Sequence, residues 1–214
     1  MKKILFTLAT LALFSSASHA QLHKRHESYV GLKAGGSAAS FVGDLAQNTR
    51  FVYGGHAGFF ANLALNAPFS IQPEILYSMK GMLGQAATVY ENDTYHLNYI
   101  DVPVAFRASW NDLFAEAGPQ LGYLLTAKST TPAGTLNSRD AFRTFDFGYL
   151  LGVGYQPKKG GLGVGGRYNA GFTSVYKDPI DGTAPPEVHN GVFQVYLTYS
   201  AQKYHKYKKS KGVR

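Results

Sequence analysis

The stretch FDFGYLLGVGYQ, residues 145–156, alternates between two kinds of side chain. Its odd-numbered positions, from Phe145 to Tyr155, are all large and apolar, whereas its even-numbered positions include Asp146 and several glycines. An alternation with a period of two residues is typical of a β-strand that has one apolar face. The segment therefore predicts a long strand with apolar side chains on one side and small or charged ones on the other.

Further segments on both sides of this stretch alternate in the same way, and none has a competing helical period. In one of them Ile100, Val102 and Val104 share a face, while Asp101 and Arg107 share the opposite face. Together the segments predict strands at approximately 28–36, 50–65, 69–83, 95–110, 113–128, 142–156, 162–173 and 192–202.

The connections between these strands alternate between long and short. The long ones are predicted at 37–49, 84–94, 129–141 and 174–191, and the short ones at 66–68, 111–112 and 157–161. Membrane barrels with an even number of strands have this rhythm, because their periplasmic turns are short and their outer loops are long. The predicted fold is an all-β, eight-stranded antiparallel up-and-down transmembrane β-barrel over residues 28–202.

Alternation alone does not say which face points outward, since a soluble lipocalin-like barrel would place its apolar face inside. A membrane barrel is favoured because the polar face is rich in glycine, and because its charges are nearly balanced and could therefore pair when buried. We predict a lumen charge network of Lys33, Glu74, Lys80, Asp101, Arg107, Glu116, Asp146 and Arg167, and we place Lys128 on the same face. An aromatic girdle at the membrane interfaces is predicted at Phe51, Phe69, Tyr77, Trp110, Tyr123, Tyr155 and Tyr199.

Three prolines, Pro73, Pro103 and Pro119, fall inside predicted strands. Proline removes a donor from the hydrogen-bond ladder, and a closed barrel has no edge strand that could absorb the loss. We therefore expect bulges or register breaks there, with the faces slipping by one residue beyond each proline.

The two ends of the chain differ from the barrel region. Residues 1–20 have a basic start, an apolar run and an A-x-A-like ending, which is the pattern of a cleaved secretory signal peptide. This segment and residues 203–214 together hold the surplus behind the net charge of +8, so residues 21–202 are neutral. Nucleic-acid-binding domains display their positive charge on the folded part, and no nucleic-acid partner is therefore expected. Residues 21–27 are expected to be a flexible start, and the basic tail is equally well read as a contact for lipids or acidic partners and as a disordered extension.

The sequence has no strong motif for catalysis or for binding a nucleotide, metal or cofactor. Cysteine is absent, which excludes disulfides and thiolate chemistry. The GLGVGG stretch at 161–166 opens a strand rather than a helix, so a nucleotide site is not expected. His56 is predicted to be a hydrogen-bonded interior histidine, and His23 and His26 to lie in a solvated segment. No catalytic, metal or cofactor site is predicted, and candidates for an enzyme at the outer rim (His96, Asp140 and His189) have no recognisable spacing.

Six segments of the chain carry recognisable stretches in order: SIQPEILYSMKG (70–81), LNYIDVPVAFR (97–107), FAEAGPQLGYLL (114–125), FDFGYLLGVGYQ (145–156), GLGVGGRYNAGFT (161–173) and VFQVYLTY (192–199). Together they resemble the PorT-type family of bacterial outer-membrane β-barrel proteins. The resemblance implies an eight-stranded barrel in the outer membrane and does not imply a reaction. Such barrels often end at an aromatic residue of the last strand, and here we place the assembly signal at 192–199, before the tail.

These observations favour a non-enzymatic outer-membrane barrel with a filled, charge-compensated lumen, acting through loops 129–141 and 174–191 or as a structural membrane component. The alternatives are an accessory subunit of a protein-secretion apparatus, a narrow porin-like channel and an outer-membrane enzyme. The expected partners are outer-membrane lipids, periplasmic chaperones, the barrel-assembly machinery, and a secretion-system or cell-surface protein.

Overall fold

The computed structural model of the chain describes residues 28–43, 49–84, 94–132, 134–158, 160–177 and 187–201. The predicted signal peptide at 1–20, the segment 21–27 and the tail at 203–214 lie outside these residues, as do parts of the predicted long loops. No helix in the described ranges is long and apolar enough to cross a membrane.

Strands make up nearly all of the described chain. In chain order they are β1 (Tyr29–Gly43), β2 (Thr49–Arg50), β3 (Val52–Ala64), β4 (Phe69–Gly84), β5 (Thr94–Trp110), β6 (Leu113–Thr131), β7 (Gly134–Asn137), β8 (Phe145–Tyr155), β9 (Gly161–Gly171) and β10 (Val188–Ala201). A 3₁₀ turn spans Arg139–Ala141. The short strands β2 and β7 pair with the loop-end parts of β4 and β6, and the other eight strands form the barrel wall.

The barrel wall is a closed antiparallel ring. Each of its strands pairs with the next one along the chain, and the last strand, β10, pairs with β1. The predicted eight-stranded up-and-down barrel is confirmed. The tight connections after β3, β5 and β8 lie at one end, together with Tyr29 and Ala201, and we call this the turn end. The longer connections lie at the opposite end, the loop end.

Several strands are longer at the loop end than predicted. Strand β1 continues to Gly43, because the pattern continues with the small residues Ser37 and Ala39 facing inward and ends on the inward Phe41. Strand β10 begins at Val188, so residues 188–191, predicted as loop, pair with the end of β1. Strand β8 instead begins later than predicted, at Phe145.

Side chains alternate between the lumen and the outer surface. Apolar side chains point outward, and large ones such as Leu151 and Val195 are 53% and 67% exposed. Most charged and amide side chains of the barrel strands point inward and are buried. This arrangement is the reverse of a soluble barrel, and it confirms the predicted direction of the two faces.

The expectation of register breaks at the prolines is wrong. Beside Pro73, Pro103 and Pro119, two residue pairs are missing from the ladder on one edge of the strand. Beyond each gap the two strands continue in the same register. On its other edge each proline keeps its partner, as in the pairing of Pro119 with Tyr149. The missing donors therefore interrupt the hydrogen bonds locally without rotating the strands.

The register shift in the barrel lies elsewhere. Asn98 pairs with Thr126 whereas Tyr99 pairs with Leu124, so Leu125 is an extra residue on β6. A β-bulge of this kind turns the following residues over by one position. Lys128 is consequently exposed on the outer side, and its predicted place on the inner face is wrong.

Candidate functional site

The largest group of buried charges fills the half of the lumen nearer the turn end. Glu74 on β4 lies at its centre. Its Oε1 atom forms an ion pair with Lys33 on β1, and its Oε2 atom lies 2.9 Å from Nη2 of Arg167 on β9. All three side chains are shielded from solvent.

A second carboxylate, Glu116 on β6, extends this group. Arg107 donates to its Oε2 atom from Nε at 3.0 Å and from Nη2 at 2.9 Å. The hydroxyl of Tyr196 donates to its Oε1 atom at 2.8 Å, and Nη1 of Arg167 lies 3.9 Å from the same oxygen. We call Lys33, Glu74, Arg107, Glu116 and Arg167 the turn-side cluster.

Neutral side chains hold the turn-side cluster in place. Gln72 donates to Glu74 at 2.7 Å, and Arg167 Nε donates to Gln194 Oε1 at 2.9 Å. The ammonium of Lys33 lies 4.2 Å from the centre of the Tyr196 ring, a cation–π contact. Gln72, Gln194 and Tyr196 were not predicted as part of the network, although the strand alternation already placed them on the inner face.

The remaining buried charges form a loop-side cluster of Lys80, Asp101 and Asp146. The Lys80 ammonium lies 3.0 Å from Oδ1 of Asp101 and 3.1 Å from Oδ2 of Asp146. Asn190 also donates to Oδ2 of Asp146, at 2.9 Å. The ring of Tyr99 lies 4.3 Å from the ammonium and covers it from another side.

The charges balance only when both clusters are taken together. The turn-side cluster has three cations and two anions, and the loop-side cluster has one cation and two anions. A buried charge is costly unless it is paired and hydrogen-bonded. The structure thus brings the eight predicted lumen residues into two groups with opposite excess charge.

Glycines allow the lumen to be filled with large side chains. A Cβ atom on Gly165 would approach the ring of Tyr196 to 2.5 Å, and one on Gly163 would approach Thr198 Oγ1 to 2.6 Å. Both glycines face inward in the GLGVGG stretch, which forms the start of β9. They therefore make room for neighbouring side chains, consistent with the expectation that this motif is not a nucleotide site.

An apolar cluster, which we call the plug, lies at the loop end of the lumen. Phe142 and Val175, which lie between barrel strands, fold back over the mouth and become buried. Inward side chains from the strand ends complete the plug. Its buried members are Phe41, Met82, Leu97, Tyr99, Leu124, Ala127, Phe142, Val175 and Val188, with Tyr95 and Tyr176 packed against them.

Backbone hydrogen bonds join the two chain segments of this plug. Phe142 and Tyr176 form an isolated antiparallel bridge, and their rings stack with centres 5.1 Å apart. Arg143 N donates to Val175 O at 2.8 Å, and Val175 N donates to Val188 O at 2.8 Å. The plug was not predicted, because Phe142 was expected to begin a strand, Val175 and Val188 were expected in the loop at 174–191, and the inward residues of the strand ends gave no sign of a common cluster.

The predicted girdle residues all point outward and are exposed. Phe69, Trp110, Tyr155 and Tyr199 lie toward the turn end, whereas Phe51, Tyr77 and Tyr123 lie nearer the loop end. The girdle itself remains a prediction, since the structure contains no lipid.

The described histidine candidates lie on three different strands, β3, β5 and β10. His56 is buried in the lumen, but neither imidazole nitrogen has a hydrogen-bond partner in the described chain, so the predicted hydrogen bond is not found. Its ring instead meets Tyr196 edge to face, with centres 6.3 Å apart. Within the described ranges no hydrogen bond or ion pair joins His96, Asp140 and His189. No group of metal-ligating residues is found there either.

Comparisons with known proteins agree with this architecture. A family model described as an outer membrane protein beta-barrel domain matches residues 19–177. The crystal structure of Neisserial surface protein A is 12% identical, with a TM-score of 0.51 over 81% of this chain and 98% of that one. The crystal structure of Ail, the attachment invasion locus protein of Yersinia pestis, is 13% identical, with a TM-score of 0.48 over 82% and 99%. At these identities the likeness concerns the fold alone. No curated protein matches the chain.

Proposed function

The chain belongs to the outer membrane protein beta-barrel domain family, and on that premise we propose that it is a non-enzymatic barrel with a closed lumen. In this proposal the protein acts through the surface at its loop end, either by binding a partner or as a structural component of the membrane. Loops on a rigid scaffold are where binding residues are usually found.

One observation carries the proposal. The ion pair between Arg167 on β9 and Glu74 on β4 joins strands that have three other strands between them on either side of the ring. A direct contact between opposite walls supports a lumen without a continuous water column at that level. Barrels of eight strands are just wide enough for side chains to fill, and the apolar plug adds a second closure.

The plug also gives the loop end a defined shape. Arg143 Nε donates to Tyr176 O at 2.8 Å, and Arg139 Nη2 donates to Leu124 O at 3.0 Å, so arginines tie the segments to each other and to the wall. The hairpin of β6 and β7 projects beside them with exposed side chains. These segments form the platform on which a partner would dock.

The long connections are assigned to the cell exterior and the tight turns to the periplasm, as in bacterial barrels generally. The chain would reach this site by export through a signal peptide at 1–20, followed by handling by periplasmic chaperones and insertion by the barrel-assembly machinery. Within the wider family, a PorT-type relationship is supported by the segments at 70–81, 97–107 and 114–125. That relationship would favour a secretion-apparatus partner.

Cysteine labelling tests the proposed orientation. The chain has no cysteine, so Thr135→Cys on the projecting hairpin and Lys158→Cys at a tight turn each provide one unique thiol. A membrane-impermeant maleimide is expected to label Thr135→Cys on intact cells and Lys158→Cys only after permeabilisation. The reverse pattern would contradict the orientation. A stoichiometric secretion-system protein that co-purifies after mild detergent extraction would favour the accessory-subunit role over a role independent of that apparatus.

A further inference from the structure

A polar patch lies on the outer wall of the barrel, next to its apolar surface. His96 pairs with Lys128 across β5 and β6, and Asn98 pairs with Thr126 one step further toward the turn end. Asn98 Nδ2 donates to Thr126 Oγ1 at 2.8 Å. We call His96, Asn98, Thr126 and Lys128 the wall patch.

The wall patch depends on the β-bulge. Up to Leu124 the even-numbered residues of β6 face the lumen, and an unbroken strand would carry Lys128 inward as well. The extra residue Leu125 reverses the order, so that Ala127 and Ser129 are buried while Lys128 is exposed. The bulge thus moves the ammonium of Lys128 to the outside, beside His96.

The outer wall around the wall patch lacks carboxylates on strands β5, β6 and β7 and is apolar toward the turn end. The acidic residues of β5, β6 and β7 are Asp101 and Glu116, and both are buried in the lumen. The outward side of these strands therefore has no carboxylate that could neutralise Lys128. Toward the turn end the neighbouring outward side chains are apolar, with Tyr123 46% and Leu125 42% exposed.

We propose that the wall patch binds the phosphorylated head group of an outer-leaflet lipid whose acyl chains lie along Tyr123 and Leu125. An ammonium, an imidazole N–H and neighbouring amide and hydroxyl groups are suitable donors for phosphate oxygens, and basic groups next to a membrane attract anionic lipids. The hydrogen bond between Asn98 and Thr126 orders the polar floor beneath the phosphate. The assignment to the outer leaflet rests on the proposed function, in which the loop end faces the cell exterior. The binding of a phosphorylated head group does not depend on that orientation.

Native mass spectrometry of the full-length mature protein in detergent tests this site, with diphosphorylated lipid A as the probe. The wild type is expected to retain one lipid A molecule. A double variant, His96→Gln with Lys128→Gln, is expected to bind it at least about fivefold more weakly, because a lysine near anionic lipid alone contributes about 1 kcal/mol and the variant also removes the imidazole. Lys158→Gln is the matched control, since it removes an exposed lysine at the turn end and should retain lipid A like the wild type.

Further measurements distinguish lipid-bound phosphate from free phosphate, and failure of the binding site from failure of the proposed orientation. Inorganic phosphate at the same concentration should not displace lipid A, because it has no acyl chains to hold against the wall. Equal retention of lipid A by the double variant and the wild type, with the heat-dependent gel shift showing that both are folded, would overturn the proposal. Loss in the double variant together with maleimide labelling of Lys158→Cys on intact cells would keep the site and overturn the leaflet.

Discussion

Lys80 on β4 and Asp146 on β8 form an ion pair of 3.1 Å, although β5 and β6 separate their strands in the sheet. The same ammonium also binds Asp101 on β5. One cation therefore neutralises two carboxylates, and the stability of the loop-side cluster depends on it.

Replacing this cation should be costly. In Lys80→Met two buried carboxylates lose their counter-ion, and we expect the free energy of unfolding to fall by about 3–5 kcal/mol. Urea unfolding in lipid vesicles, followed by the fluorescence of the single tryptophan, Trp110, measures the change. Adding Asp101→Asn and Asp146→Asn removes the unpaired charges and should restore most of the loss. A single variant as stable as the wild type would contradict this account.

The charges of the turn-side cluster predict that Glu74→Gln destabilises the barrel more than Arg167→Met does. Glu74→Gln leaves three buried cations with one anion and should cost about 3–5 kcal/mol. Arg167→Met leaves Glu74 with Lys33 and Glu116 with Arg107, so its cost should be closer to that of lost charged hydrogen bonds, about 1.5–3 kcal/mol. The same unfolding assay compares them. If Arg167→Met were the more damaging variant, the charge count of the cluster would not govern its stability.

The apolar plug should be testable by proteolysis. Phe142→Ala removes the ring that stacks on Tyr176. Loss of a buried phenylalanine costs about 3–5 kcal/mol, and we expect it to lower the free energy of local opening of the plug. Trypsin should then cut faster at Arg139, Arg143 and Lys177, while the barrel strands stay protected. Leu136→Ala, at an exposed hairpin position, is the control and should leave the digestion rate unchanged. Equal rates for both variants would mean that Phe142 does not hold the plug.

The proposed closed lumen predicts an electrically silent protein. Arg167 and Glu74 connect opposite walls, and the plug covers the mouth, so the wild type should give no stable unitary current in planar lipid bilayers. Reproducible steps of a single size, present in the purified protein and absent from mock preparations, would favour the narrow-channel alternative.

The sequence predicted the fold, the two faces and the inward charges because alternation is a local property of each strand. It did not predict which charges meet. The pairing of Arg167 with Glu74 depends on ring closure, which brings together residues 93 positions apart. Nor did it indicate that Tyr196 would bond Glu116, because alternation places both side chains on the inner face but does not say which inward groups meet.

The errors have local physical causes. Prolines were expected to shift the register, but each loses hydrogen bonds on one edge of its strand only, and the neighbouring pairs hold the alignment. The register shift that does occur, at Leu125, has no proline or glycine in the sequence that would indicate it. Lys128 was therefore placed on the wrong face. The plug was missed because Phe142 was predicted to begin the strand at 142–156 and Val175 to lie in the loop at 174–191, so neither was expected to pack over the lumen.

The central claim is that the apolar outer surface faces lipid. Leu151, at the middle of β8, and Leu136, on the projecting hairpin, are 53% and 64% exposed, so in water they would respond alike to substitution. In a bilayer an arginine at mid-membrane depth costs about 2–4 kcal/mol, whereas one outside the membrane costs close to nothing.

The most direct test is therefore the unfolding free energy of Leu151→Arg and Leu136→Arg in lipid vesicles. We predict a loss of about 2–4 kcal/mol for Leu151→Arg and no measurable loss for Leu136→Arg. Equal, small effects of the two substitutions on a protein that stays folded would contradict a lipid-facing barrel wall.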